Sequence, residues 1–252
     1  MTTKNIFRLF LVVLLLPACT KNLDKTNPDT EVDPSYWRDE NSVRTYNWEF
    51  YNLFAGFGNG TTTGDFYFTA FTDDQVSSSF SQFPVTTTAS DGDWKFDMIR
   101  KANIMLQRVD GVNMDSTAKR HWKGIAHFFR ALQYFKLVQK FGGVPFFSTP
   151  LDISDSVDIY KPRDSHQLVM DSVLADINYA VANMRVVDLA NTVNRDVALA
   201  LKSRICLYEG TYRKYHTELN MPNADLYLQQ AKDAASQLIT TGTYVLAADY
   251  RT

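Results

Sequence analysis

Apolar residues recur at steps of three and four through most of the chain beyond residue 94, and this repeat restricts the fold more than any other feature. The most regular series comprises Ala198, Leu201, Ile205, Tyr208 and Tyr212. Residues at this spacing lie on one face of an α-helix, and that face must be buried against another element. The sequence therefore predicts a mostly α-helical protein in which amphipathic helices pack on one another.

The same period occurs in five other segments. Helices are predicted over about residues 39–54, 94–110, 118–141, 164–184, 194–212 and 224–241. The four helices from Ala118 onward form two successive helical hairpins. Small residues in the last two helices, such as Ala198 and Ala231, allow neighbouring backbones to approach closely. Consecutive hairpins of this kind are typical of tetratricopeptide-like stacking.

The run FFRALQYFKLVQKFGGVPFF, from Phe128 to Phe147, contains seven aromatic residues. It is either a ligand-binding surface or a buried helix face. Phe129, Leu132 and Phe135 follow the helical period, and side chains at that spacing are usually core. The two glycines that follow can cap the helix, and Pro145 forces extended backbone before it. We therefore interpret this run as scaffold.

Residues 55–93 form a long segment without helical period. It is rich in Gly, Ser and Thr but also contains six Phe and one Tyr. Irregular segments of this length in a folded domain are usually functional or disordered, and the aromatic residues argue against disorder. The sequence predicts a long irregular aromatic loop region with a role in recognition.

The part of this loop that reads TDDQVSSSFSQF combines aromatic, carboxylate and amide side chains. Aromatic rings stack on the apolar faces of sugars, while carboxylates and amides bind the hydroxyl groups. The candidate ligand-binding residues are Asp73, Asp74, Phe80, Gln82 and Phe83. The alternative is that the phenylalanines only attach the loop to the rest of the domain.

The first 18 residues have the pattern of an export signal. Lys4 and Arg8 accompany an apolar run that is too short to span a membrane. The following LLPAC resembles a bacterial lipobox, which predicts cleavage before Cys19 and acylation of that cysteine. The alternative is an ordinary signal peptide cut near Ala18. Residues 19–38 contain turn-forming residues and two prolines, and are interpreted as a lipidated tether.

The residue pattern argues against several classes of function. The formal net charge is −2 and no block of Lys or Arg stands out, which argues against nucleic-acid binding. No clustered Cys/His pattern suggests a metal or cofactor. Asp73 and Asp74 are adjacent, so they are poorly placed as the paired carboxylates of a glycosidase. We predict that the chain is not an enzyme.

Three other residues receive structural interpretations. His121 and His127 lie six apart on one predicted helix and are expected at its surface. Cys206 lies among apolar helix positions and is expected to be a buried, unreactive thiol.

Several segments together resemble the amino-terminal half of the SusD/RagB family of outer-membrane nutrient-binding lipoproteins. The similarity is carried, in the expected order, by CTKNLDKTNP, WKFDMIRKANIMLQRVDG, FFRALQYFKLVQKFGGVPFF, YKPRDSHQLVMDSVLADINYAV, NRDVALALKSRICLYEG and AKDAASQLITTGTYVL. The pattern from Arg130 to Pro145 is the most specific. Since family members are about twice as long, residues 39–252 are expected to be an incomplete amino-terminal helical domain.

The resemblance implies a lipid-anchored protein at the outer-membrane surface. It would cover a TonB-dependent, SusC-like transporter and deliver oligosaccharides or peptides to it. In glycan-binding relatives a TDE-type segment precedes the ligand-stacking residues, which implies that Phe80 and Phe83 are near the stacking positions and that Gln82 is an amide partner. The alternatives are an interaction module that joins the transporter without binding ligand, and a remnant of a truncated gene.

Overall fold

The computed structural model describes residues 36–54, 92–151 and 154–245, and seven α-helices lie within them. The helices are α1 Glu40–Asn47, α2 Asp97–Arg108, α3 Ser116–Phe141, α4 Ser156–Ile159, α5 His166–Asn183, α6 Arg195–Tyr215 and α7 Ala224–Thr240. Short 3₁₀ helices occupy Trp48–Leu53, Val109–Gly111 and Thr217–Leu219. An isolated bridge joins Asp39 to Asn113, and no β-strand is present in these three ranges. The predicted mostly α-helical class is confirmed.

Polar side chains at the first residues set where the longer helices begin. Asp115 Oδ1 accepts hydrogen bonds of 2.8 Å from the backbone N–H groups of Thr117 and Ala118 at the start of α3. Ser165 caps α5 and Asn194 caps α6 in the same manner. Such caps satisfy backbone donors that have no partner within the helix.

The long helices pack in chain order. α2 packs on α3, α3 on α5, α5 on α6 and α6 on α7. The pairs α3/α5 and α6/α7 are the two predicted helical hairpins, so the tetratricopeptide-like arrangement is confirmed. Two glycines permit the close contacts within these pairs. A Cβ on Gly124 would lie 2.7 Å from Met184 Cγ, and one on Gly210 would lie 2.8 Å from the Leu228 side chain.

The aromatic run of α3 is core, as predicted. Phe129 is 1% exposed, and its ring stacks on Phe50 at a centroid distance of 5.1 Å. The rings of Tyr51, Phe54 and Phe128 surround it at centroid distances of 5.0 to 5.8 Å. Leu132 and Phe135 are also buried. The aromatic density of this segment is thus explained by packing alone.

The end of α3 shows how the chain turns into the next element. Gly142 is the C-terminal cap with φ of 70°, a conformation that glycine adopts without steric cost. A Cβ on Gly143 would lie 2.3 Å from the Asp164 backbone oxygen, so only glycine fits there. A hydrogen bond from Asp164 N to Val144 O also joins these two segments of the chain.

The buried residues of α6 are not limited to its predicted apolar stripe. Ala198 and Ile205 are buried, but Leu201, Tyr208 and Tyr212 are only half-buried. The remaining buried positions include Leu199 and Cys206. α6 packs against both α5 and α7, so residues on two sides of the helix are buried. Neither buried side corresponds to the whole of the predicted stripe.

Among the described helices, none is both long and apolar enough to cross a membrane.

Candidate functional site

A cleft of about 650 Å³ lies beside the carboxyl-terminal half of α3. Its lining comes from four parts of the chain: Asn52 and Leu53, the stretch from Asp93 to Met98, the α3 residues between Leu132 and Phe141, and Leu201 and Arg204 of α6. The first two parts immediately precede and follow residues 55–91. The cleft is therefore bordered by described residues on both sides of residues 55–91.

The floor of the cleft is apolar because α3 turns part of its core face toward it. Leu132, Phe135 and Leu137 line the cleft and are otherwise buried. Phe141 extends this surface at the end of α3, and its ring meets the edge of Trp94 at a centroid distance of 5.0 Å. Aromatic and aliphatic floors with a few polar groups are typical of small-ligand sites.

Two lysine side chains of α3 contact the segments that border the cleft before and after residues 55–91. Lys136 Nζ donates to the Leu53 backbone oxygen. Lys140 Nζ lies 2.6 Å from Asp93 Oδ2, and both side chains are largely exposed. An exposed ion pair of this kind contributes little to stability. The two contacts place Leu53 and Asp93 beside the same face of α3.

Behind the cleft, a buried network centred on Arg130 joins three helices. Arg130 Nε and Nη2 each donate to the carboxylate of Asp176 on α5 at 2.7 Å. Arg130 Nη1 donates to Asn103 Oδ1 of α2 at 2.6 Å. His127 Nδ1 lies 2.6 Å from Asp176 Oδ1. Burial alone would raise the pKa of Asp176, but the hydrogen bonds from Arg130 and His127 hold it below its usual value.

The same network orders the loop that follows α3. Asn103 Nδ2 donates to the backbone oxygens of Phe147 and Thr149 at 2.9 and 3.1 Å. Phe147 N donates to the hydroxyl of Tyr134 at 2.7 Å, and burial raises the pKa of that hydroxyl. Phe146 N donates to Asp164 Oδ2 at 2.7 Å. These bonds attach the non-helical loop to α2, to α3 and to the chain just before α5.

A second buried network connects α5, α6 and α7. Arg213 Nε donates to Glu209 at 2.7 Å, and both side chains are fully buried. Arg213 Nη2 and the Tyr227 hydroxyl both donate to Asp171 Oδ1 at 2.8 Å. His166 Nε2 lies 2.8 Å from the other Glu209 oxygen. His166 Nδ1 is buried and has no hydrogen-bond partner among the described residues. Because the other members of this set satisfy one another, we assign it a structural role.

The prediction that His121 lies at the surface is wrong. His121 is fully buried, its Nε2 lies 3.0 Å from Asp188 Oδ2, and its Nδ1 accepts from the backbone N–H of Arg185 at 3.1 Å. Burial first, and then the charge of Arg185, lowers its pKa. His127 is partly buried against Asp176. Helical periodicity did not predict the burial of either histidine, because a polar side chain on a buried helix face is stabilised by partners that are distant in sequence.

The residues predicted to bind ligand lie outside the described residues. Asp73, Asp74, Phe80, Gln82 and Phe83 fall in the stretch 55–91, as does most of the predicted irregular loop. Cys19 falls within residues 1–35, also outside the description.

The two remaining interpretations concern described residues. Cys206 is buried, as predicted, and burial raises the pKa of its thiol to about 12, which disfavours the reactive thiolate. Within the described ranges, no group of three His, Cys, Asp or Glu side chains is arranged to hold a metal ion.

The charged residues of the cleft were not predicted as a site. Lys136 and Lys140 lie four apart, so they share one face of α3. Arg204 lies next to the stripe of α6, one position short of Ile205. The spacing of the two lysines was visible in the sequence, but their proximity to Arg204 and Lys95 depends on how α2, α3 and α6 pack.

Comparison with known proteins identifies relatives of this chain. The model of a SusD-like family, described as starch-binding and associating with the outer membrane, matches residues 60–207, more than half of the chain. The SusD-like protein P38 of Formosa agariphila is 33% identical over 124 residues, which are 49% of this chain and 24% of that protein.

Solved structures show the same fold. A SusD-like protein from Bacteroides fragilis has 21% identity and a TM-score of 0.59, over 88% of this chain and 42% of that one. A SusD-like carbohydrate-binding protein from Bacteroides vulgatus has 16% identity and a TM-score of 0.57, over 84% and 47%. A structure determined with a xylogluco-oligosaccharide has 21% identity and a TM-score of 0.52, over 63% and 31%. The chain spans about a quarter of the curated relative and less than half of each of these structures.

Proposed function

The chain belongs to the SusD-like family, and from this membership we propose that it is a cell-surface lipoprotein that binds oligosaccharides or peptides and delivers them to a TonB-dependent, SusC-like outer-membrane transporter. The family match over residues 60–207 carries the proposal, because the family description couples starch binding to the outer membrane. Fold neighbours that bind carbohydrate add support for sugars over peptides. The protein acts by binding, without catalysing a reaction.

The ligand is bound by the loop side chains of TDDQVSSSFSQF. In this proposal, Phe80 and Phe83 stack on the ligand, and Asp73, Asp74 and Gln82 bind its polar groups. Two observations support it. The family match includes this stretch, and described residues on either side of residues 55–91 border a cleft of about 650 Å³. That volume is within the usual range for a ligand site, roughly 300–1,000 Å³.

The protein reaches the membrane through its amino terminus. Residues 1–18 are removed as the export signal, Cys19 is acylated, and residues 19–38 connect the lipid to the helical part. A single lipidated cysteine fits the chain, because the only other cysteine, Cys206, is buried and unavailable.

Fractionation of cells that express the full chain tests the anchor. Cys19→Ala should move the protein from the membrane to the soluble fraction, and Cys206→Ala should leave it at the membrane. Retention of Cys19→Ala in the membrane fraction would show that lipidation at this residue does not hold the protein there.

Calorimetric titration with maltoheptaose, a xyloglucan oligosaccharide and a tryptic peptide mixture tests ligand binding. Phe80→Ala or Phe83→Ala should weaken binding by roughly 1–3 kcal/mol, if aromatic stacking on nucleic-acid bases is a fair guide. The melting temperature should change little. Tyr160→Ala is the matched control, because Tyr160 is 85% exposed and lies away from the cleft lining. Equal losses in all three variants would exclude a specific stacking role for the loop.

The same preparation separates ligand binding from the alternative role as an interaction module. Tetratricopeptide-like helices often bind protein partners, so a chain that co-purifies with its transporter but binds none of the three ligand preparations would favour that alternative.

A further inference from the structure

The cleft beside α3 is enriched in positive charge relative to the chain. Four cationic side chains line it, namely Lys95, Lys136, Lys140 and Arg204. Among the described residues of the lining, the acidic side chains are Asp93 and Asp97. The whole chain has the opposite balance, with 26 Lys and Arg against 28 Asp and Glu. Positive charge that gathers in a concave site raises the local concentration of anions.

Two of these cations have no partner among the described residues. Lys95 and Arg204 are exposed, and their side chains form no ion pair or hydrogen bond with any described residue. They come from different parts of the lining, Lys95 from the chain before α2 and Arg204 from α6. Lys140 differs, because it already binds Asp93.

The walls and floor differ in chemistry. The apolar floor of Phe135, Phe141 and Leu201 can contact the apolar face of a sugar ring. In the same lining, the planar guanidinium of Arg204 offers paired N–H donors that match a carboxylate or a sulfate. A neutral sugar would use the floor but would leave both free cations without an anionic partner.

We infer that this cleft binds the acidic groups of an anionic oligosaccharide, either a uronate carboxylate or a sulfate ester, with Arg204 and Lys95 as the residues that select for negative charge. The inference rests on the proposed glycan-binding function and specifies the chemical class of the glycan. Because carboxylate and sulfate have the same recognition chemistry, the experiment contains an arm for each.

The test is calorimetric titration of the full chain with two matched pairs of probes. One pair is tetragalacturonate and its methyl ester, which is neutral on the same sugar backbone. The other is a sulfated galactan oligosaccharide and its desulfated form. The acidic member of at least one pair should bind about tenfold tighter than its neutral counterpart, as charge-assisted hydrogen bonds allow. Raising the NaCl concentration from about 0.05 M to about 0.5 M should reduce this advantage, because the Debye length shortens about threefold.

Variants of the free cations assign the effect to the cleft. Arg204→Gln and Lys95→Gln should each weaken binding of the acidic probe about fivefold and leave the neutral probe unchanged, since only a charge-assisted contact is lost. Lys232→Gln is the matched control, because Lys232 is an exposed lysine of α7 outside the cleft that also lacks a partner among the described residues. The melting temperatures of all three variants should match that of the unaltered protein.

The outcomes separate this inference from the proposed function. If neutral and acidic probes bind equally and Arg204→Gln affects neither, glycan binding stands and selection for anions is refuted. If acidic probes bind tighter but Lys232→Gln reduces binding as much as Arg204→Gln, the attraction is general and the cleft assignment is refuted. If none of these four probes binds but maltoheptaose or the xyloglucan oligosaccharide does, the inference is refuted and glycan binding stands. If none of the six sugars binds, both are refuted.

Discussion

The buried pair of Arg130 and Asp176 provides the sharpest test of how the helices are held together. Their side chains are only 7% and 5% exposed, and two hydrogen bonds of 2.7 Å join them. Asp176→Leu retains approximate side-chain volume but leaves the guanidinium buried without its carboxylate. Asn103 and the Ser148 backbone oxygen still accept from Arg130, but neither carries a negative charge.

The expected cost follows from that uncompensated charge. Removing one partner of a buried ion pair costs about 3–5 kcal/mol, a large part of the roughly 5–15 kcal/mol that stabilises a folded protein. For a chain of this size such a loss lowers the melting temperature by roughly 6–20 °C. Replacing both partners by apolar side chains removes the unpaired charge, so Arg130→Met with Asp176→Leu should be more stable than Asp176→Leu alone.

Urea unfolding followed by circular dichroism measures these differences. The control is Asp110→Leu, which breaks the pair between Lys123 and the 66%-exposed Asp110 and should cost at most about 1 kcal/mol. The reasoning fails if Asp176→Leu costs no more than the control. It also fails if the double variant loses the sum of the two single losses, because independent sites add while coupled ones do not.

Three further predictions concern the core, the loop after α3 and the response to acid. Phe129→Ala should cost about 3–5 kcal/mol in urea unfolding, because it leaves a cavity among packed rings; a cost near zero would place the ring outside the core. Gly143→Ala should destabilise the protein because its Cβ would clash with backbone, whereas Gly111→Ala, which has no neighbour within 4 Å, should not. Equal melting temperatures for the two variants would show that Gly143 does not pack this closely against the Asp164 backbone. The free energy of unfolding should fall as pH drops below about 6.5, because burial lowers the pKa of His121 and the unfolded chain binds that proton more readily. His121→Gln should reduce this slope, and an unchanged slope would assign it to other groups.

Periodicity predicted the positions of the long helices. α3, α5, α6 and α7 lie within a few residues of their expected bounds, because three or more turns of repeated spacing leave little freedom. The four-residue α4 was not predicted, since it is too short to show a period and none of its residues is buried. Residues 48–53 continue the first helix in 3₁₀ form, a change that apolar spacing does not reveal.

The buried polar networks were beyond the reach of sequence reasoning. Arg130 and Asp176 are 46 positions apart, and nothing in either helix alone indicates that a charged residue faces inward. A carboxylate is stable there only because a guanidinium arrives from another helix. The cleft follows the same logic. The lysines of α3 could be placed on one face, but the wall supplied by Arg204 exists only once α6 packs nearby.

The loop from Gly142 to Thr149 has no regular secondary structure, yet several of its backbone groups are hydrogen-bonded to side chains. Phe146 N and Phe147 N donate to side chains of Asp164 and Tyr134, and Asn103 binds two of its carbonyl oxygens. Amide hydrogen exchange reports the opening of individual hydrogen bonds. The amides of Phe146 and Phe147 should therefore exchange with solvent deuterium as slowly as those in the middle of α3, so this turn opens only when the helices around it separate.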